Sequence, residues 1–270
     1  MNSNYLDRIS IAVWAVTLTL AASTRLRLPG QGAVLVAGDT SLVLPVAASS
    51  LIPLLLALLA GTGTHAVVRS HPLAQRGMVR FTMRFWALPV AVTLIAAFSL
   101  PRAPSVLYWA AGLLVFAVVL AGVLVALYFS LDPAATGYRR ARAVLNLICY
   151  AIAFLLFLLI PASWGALGRS ATTGAVTLLL ALELLRGTRA RLGWVSLYAL
   201  VVGAIVAQVA WVLPMTGLST LSTSLLLLLL FYLLVGMAWQ TLLGRLTRRV
   251  VLEFGAVALT GLVLILAFAP

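Results

Sequence analysis

Long apolar runs follow one another along this chain, and short polar stretches holding most of the charges separate them. Several runs reach the roughly 18 residues that mark a transmembrane helix. A run such as SLLLLLLFYLLVG, residues 224–236, shows no alternation of apolar and polar positions, so it does not suit a barrel strand. In hydrocarbon every backbone N–H and C=O has to find its partner inside the segment, which makes helix the default. The pattern therefore predicts an all-α fold, a polytopic transmembrane helical bundle, with residues 1–270 as a single transmembrane domain. Nine spans are expected, at about 9–24, 44–68, 84–100, 105–131, 143–161, 171–186, 192–213, 218–241 and 250–268. The first follows Asp7-Arg8 and carries no clear small-x-small cleavage site, so it reads as an uncleaved span and not as a signal peptide.

The polar stretches assign the sides. Segments 69–84, 139–142, 186–191 and 245–249 carry 4, 3, 3 and 3 arginines, and with Arg8 they hold 14 of the 18. Arg25, Arg27, Arg102 and Arg169 fall in the alternate segments. By the positive-inside rule the N-terminus is expected inside and the C-terminus outside. Six of the seven tryptophans agree: Trp86, Trp194 and Trp239 fall at expected inner ends, and Trp109, Trp164 and Trp211 at or near outer ends. Trp14 does not fit. Residues 69–84 then form a basic cytoplasmic interfacial loop. Arg69 and His71 follow a helix end, where cations suit the negative terminus, and Pro72 stops the helix. Arg76, Arg80 and Arg84 recur every four residues, which predicts one basic helical face against anionic lipid head groups. On the other side, residues 25–45 carry Pro-Gly and Gly-Asp turn signals between β-branched runs. An extracytoplasmic hairpin with Asp39 near its tip is expected there.

Composition narrows the chemistry. Hydrophobic residues make up 64% of the chain and charged residues 9%, and the mean hydropathy is +1.17. About a quarter of a soluble domain is charged, so this chain cannot cover a water-facing surface. The net charge of +13 comes from arginines that punctuate the spans, a pattern for membrane topology and not for nucleic acid. There is no lysine, which excludes a retinal or pyridoxal phosphate Schiff base and a P-loop lysine. The one cysteine, Cys149, excludes an internal disulfide, and five acidic residues cannot build a site for several Mg²⁺ ions. No metal signature such as HExxH occurs, and no cofactor is expected.

Ionisable and polar groups inside spans are the candidates for function. Glu183, Asp132, His65, Asn146 and Glu253 all fall near expected inner ends, and in a bundle several would converge on one polar patch. Glu183 lies one turn inside a helix end, where the dipole disfavours an anion, so it needs a partner. Arg186 at i+3 is the obvious one, and a structural ion pair is the plainer reading. Glu253 has Arg249 four residues before it, and Asp132 with Pro133 reads as a turn. His65 has no second intramembrane histidine to share a haem, and the serines of PASWGALG, residues 161–168, have no histidine base on their side. Gln208 and Trp211, one turn apart, are a candidate solute pocket. On the same helix Ala199, Gly203 and Ala207 recur every four residues, a stripe that permits close helix contact. Pro53 and Pro89 are candidate kinks or breaks.

GTGTHAVVRSHP, residues 61–72, and LLFYLLVGMAWQTLLGRLTRRVVLEF, residues 229–254, resemble an uncharacterised family of bacterial multi-pass membrane proteins. The resemblance implies membrane architecture and transfers no catalytic residue. Spans two to five and six to nine have the same expected orientation, so a duplication is geometrically allowed. The expectation is a non-catalytic scaffold, assembly or accessory subunit in the bacterial cytoplasmic membrane, in contact with lipids and other membrane subunits. The alternatives are a secondary transporter of a small solute and an inner-leaflet enzyme acting on a lipid or lipid-linked substrate. No catalytic residue is assigned.

Overall fold

A computed structural model describes residues 4–25, 34–37, 40–43, 48–76, 85–132, 134, 137–160, 165–188 and 190–267. Helices occupy each of the nine expected runs: α1 (Asn4–Arg25), α2 (Ala48–Arg69), α4 (Ala87–Ser99), α5 (Val106–Phe129), α6 (Tyr138–Leu159), α7 (Gly165–Leu185), α8 (Leu192–Val212), α9 (Thr220–Leu242) and α10 (Arg248–Ala267). A short α3 (Pro72–Gln75) follows α2, with Pro72 at its first position, where the missing N–H costs nothing. Pro72 thus starts a new turn as well as closing the one before. Strands β1 (Val34–Ala37) and β2 (Thr40–Val43) pair antiparallel, Val34 with Val43 and Ala37 with Thr40. Asp39 lies outside the described residues.

Among the described residues seven helices are long and apolar enough to cross a membrane: α1, α2 and α5 to α9. The protein is a membrane protein on that ground. α4 is shorter, with 13 residues extended by a 3-10 turn over Leu100–Arg102. α10 has 20 residues, but Arg248, Arg249 and Glu253 stand in its first two turns. Pro53 lies inside α2, which continues through it, and Pro89 sits in the first turn of α4. Serines start two spans: the hydroxyl of Ser105 accepts from Tyr108 N at 3.4 Å, and that of Ser219 from Ser222 N at 3.2 Å.

The chain divides into two compact units, residues 1–141 and 142–270. In the first, α1, α2, α4 and α5 pack around Val16, Leu20, Leu56, Val68, Leu88, Leu120 and Leu127, all almost fully buried. Trp109 Nε1 donates to Thr24 Oγ1 at 3.0 Å, tying α5 to α1, and Arg8 donates to the carbonyl of Ala66 at 3.3 Å. In the second unit the closest pair is α7 and α8. A Cβ on Gly174 would lie 2.8 Å from Ala207 Cβ, and one on Gly203 would lie 3.0 Å from Gly174 O. Ser170 donates to Ala207 O at 2.7 Å along the same seam. The stripe of Ala199, Gly203 and Ala207 is thus an internal helix contact. Lipid tails are as apolar as leucine, so such packing and interhelical hydrogen bonds hold membrane helices together. α6 joins through Tyr150 and Phe157, whose rings meet Phe231 of α9 at 5.7 and 6.3 Å.

Candidate functional site

Arg142 and Glu183 are the buried charged side chains among the described residues, and they belong to one cluster. Glu183 stands in the last turn of α7 and is 2% exposed. Its Oε1 accepts from Arg186 Nη2 at 2.6 Å, the partner expected from the i, i+3 spacing. Arg142, in the second turn of α6, places Nη1 3.6 Å from the same oxygen. Its Nη2 donates at 3.1 Å to the carbonyl of Leu184, one of the last carbonyls of α7, which have no partner within the helix. One guanidinium therefore neutralises an anion and caps a helix C-terminus, where the dipole favours cations.

The turn that follows is built for this approach. A Cβ on Gly187 would lie 3.0 Å from Arg142 Cζ and 2.6 Å from Trp239 Cη2. Only glycine lets the guanidinium and the indole of α9 come so close to that backbone. Glu183 Oε2 is buried without a hydrogen-bond partner among the described residues. One side of the cluster, Oε1, is fully engaged, while the other offers an acceptor.

Arg142 was missed as a site residue because it sits in a loop-like run of arginines. The signal was there: Arg142, Leu145, Cys149, Ile152 and Leu156 recur at helical spacing and are all buried. Cys149 Sγ lies 3.6 Å from Leu180 O on that same face.

The other candidates are distributed differently. Asn146 is half-buried on α6. Glu253 pairs with Arg249 at 3.1 Å, and both are exposed. His65 and Asp132 belong to the first unit. His65 is half-buried on α2, and Asp132 Oδ1 accepts from Ala134 N at 2.9 Å, which makes a turn. The histidine that the first unit buries is His71, 8% exposed. Its Nδ1 accepts from Leu73 N at 3.2 Å and so caps α3. Its ring meets Tyr128 edge-on at 4.7 Å, and Tyr128 stacks on Tyr5 at 4.6 Å. Burial pushes the His71 pKa below its ordinary value, and the Asp132 carboxylate opposes this more weakly.

Arg76 follows α3 and is exposed, while Arg80 and Arg84 lie outside the described residues. Gln208 and Trp211 are exposed on α8. Gln208 lines an open groove of about 300 Å³ with Val209, Val212 and Leu213, almost wholly apolar in character. Among the described residues no three His, Cys, Asp or Glu side chains are grouped to hold a metal ion.

No curated protein and no solved structure matches the chain. A family model described as protein of unknown function (DUF5656) matches residues 28–268, nearly the whole chain, and the protein is a member of that family.

Proposed function

We propose that the protein is a non-catalytic scaffold, assembly or accessory subunit of a complex in the bacterial cytoplasmic membrane. It crosses nine times with its N-terminus inside and its C-terminus outside. The observation that carries the subunit reading is the state of α10. This helix packs on α9 and leaves Leu252, Gly255, Ala256, Leu259, Thr260 and Val263 exposed. A Cβ on Gly255 would meet nothing within 4 Å. Lipid contact needs no small residues, whereas a second helix uses Gly, Ala and Thr positions to bring backbones together. A carrier needs polar groups around a cavity, and Gln208 faces an open apolar groove instead.

Photo-crosslinkers at Ala256 and Thr260, introduced one at a time in cells, test this. One discrete membrane protein should be captured from both positions and not from Leu107, which is 77% exposed on α5. Equal patterns from all three positions would remove the subunit reading.

A further inference from the structure

One face of α8 is spent on α7, where Gly203 lies against Gly174 and Ser170 donates to Ala207 O. On another face stand Leu197, Val201, Ala204, Gln208 and Trp211, all exposed. Their spacing of four, three, four and three residues is the a/d spacing of a two-helix seam. The stretch long and apolar enough to cross a membrane is Leu192–Thr216, and Ala204 is its midpoint. Gln208 comes four residues later, about 6 Å at a helical rise. Against a hydrocarbon half-thickness of about 15 Å, that depth puts its carboxamide among lipid tails. Among the described residues nothing donates to this amide or accepts from it, and Val209, Val212 and Leu213 line the groove beside it. An amide without a partner is costly in an apolar medium. Glutamine is also one of the residues that bond across membrane helices and hold them together.

We infer that this face of α8 is a self-association surface, and that its occupant is α8 of a second copy of the chain. The reason is the charge complementarity of the amide with itself. A carboxamide carries N–H donors on one side and a carbonyl oxygen on the other. Two of them therefore satisfy each other, the positive edge of each against the negative oxygen of its mate. Copies inserted in one membrane share one orientation, so a two-fold axis relating them runs along the membrane normal. That axis sets Gln208 opposite its own counterpart at the same depth. Ala204, one turn earlier, lets the two backbones come close enough for the amides to meet. A single polar residue at a seam position also fixes register, because sliding the helices separates the pair. The surface is not that of α10, so it stands whether or not α10 binds a subunit.

Ala204→Cys in a Cys149→Ala background, oxidised in native membranes, tests this while leaving Gln208 in place. A disulfide-linked dimer of the full chain should form there. It should not form with Leu147→Cys, a position 73% exposed on α6. Adding Gln208→Leu should lower the yield, whereas Gln208→Asn, which keeps a carboxamide, should retain most of it. Energy transfer between labelled copies diluted in liposomes measures the strength. Gln208→Leu should weaken self-association about tenfold, the scale of interhelical hydrogen bonds in membranes. Leucine is of similar bulk and suits lipid, so this variant keeps the fold. Dimers formed equally at positions 204 and 147, no dimer at 204, or association that Gln208→Leu leaves unchanged would overturn the surface. An adduct of position 204 with a different protein would give the face to that protein and overturn the second copy as its occupant.

Discussion

At the scale of single residues, the Glu183 carboxylate is held both from within its own turn, by Arg186, and from a second helix, by Arg142. The Glu183–Arg186 pair follows from three-residue spacing alone, and the structure places it at 2.6 Å. Arg142 comes from α6, and nothing local links it to Glu183. A buried ion pair that loses one member leaves a stranded charge, which costs about 3–5 kcal/mol. Arg142 is therefore as much a part of the pair as Arg186. His71 was hidden for a different reason. Arg69 before it and Pro72 after it have the composition of a surface loop, and only the packing of α5 against that loop buries the ring under Tyr128. That burial has a pH signature. The folded-state pKa lies below the ordinary 6.5, so the unfolded chain takes up the proton first as pH falls. The stability His71 supports is complete above about pH 6.5 and declines as pH drops through the folded value. Protonation also removes the Nδ1 acceptor that caps Leu73 N. Melting the purified protein between about pH 8 and pH 5 should show this decline, and His71→Asn should flatten it. Asparagine caps a helix well and does not titrate. A slope unchanged in His71→Asn would place the titrating group elsewhere.

At the scale of helices, the sequence was most informative where hydrocarbon imposes its own rule. All nine expected runs contain helices, with ends within a few residues of those expected except where polar first turns lengthen α1, α6 and α7 beyond their apolar runs. A helix does not stop where hydrophobicity stops. Tyr138-Arg139-Arg140 and Gly165–Ser170 continue the backbone ladder beyond the apolar runs. Which faces meet was less readable. The stripe on α8 announced a close contact but not its mate, because small residues are frequent throughout the chain. The mate is Gly174 of α7, with Gly203 O 3.3 Å from the place its Cβ would take. Gly174→Leu should therefore force α7 and α8 apart. Overpacking of this kind costs typically about 1–3 kcal/mol, to be read as lower resistance to unfolding in mixed detergent. Gly193→Leu, on the same helix as Gly203 but with nothing near its Cβ, should change little. Similar losses in both variants would mean that the seam is not tightly packed.

At the scale of the whole molecule, the threading turns on one short helix. The segment Ala87–Arg102 has 13 α-helical residues and a 3-residue 3-10 turn, about 24 Å at a helical rise, against a hydrocarbon core of about 30 Å. A span that short crosses by local thinning of the bilayer and by a snorkelling arginine, and Arg102 stands at its end. The arginines decide whether it does so. If α4 crosses, along with the other eight expected spans, 14 arginines lie inside and 4 outside. If α4 stays on one side, every later loop changes sides. Segments 139–142, 186–191 and 245–249 then move out while Arg102 and Arg169 move in, leaving 7 inside and 11 outside. That distribution reverses the positive-inside bias, so the crossing arrangement is the one expected. Single cysteines at Arg76 and Arg140, in a Cys149→Ala background, read the difference directly. A membrane-impermeant maleimide applied to intact cells should label neither, and should label both after the membrane is opened. Labelling of position 140 alone in intact cells would show that α4 does not cross, and the C-terminus would then share a side with the N-terminus.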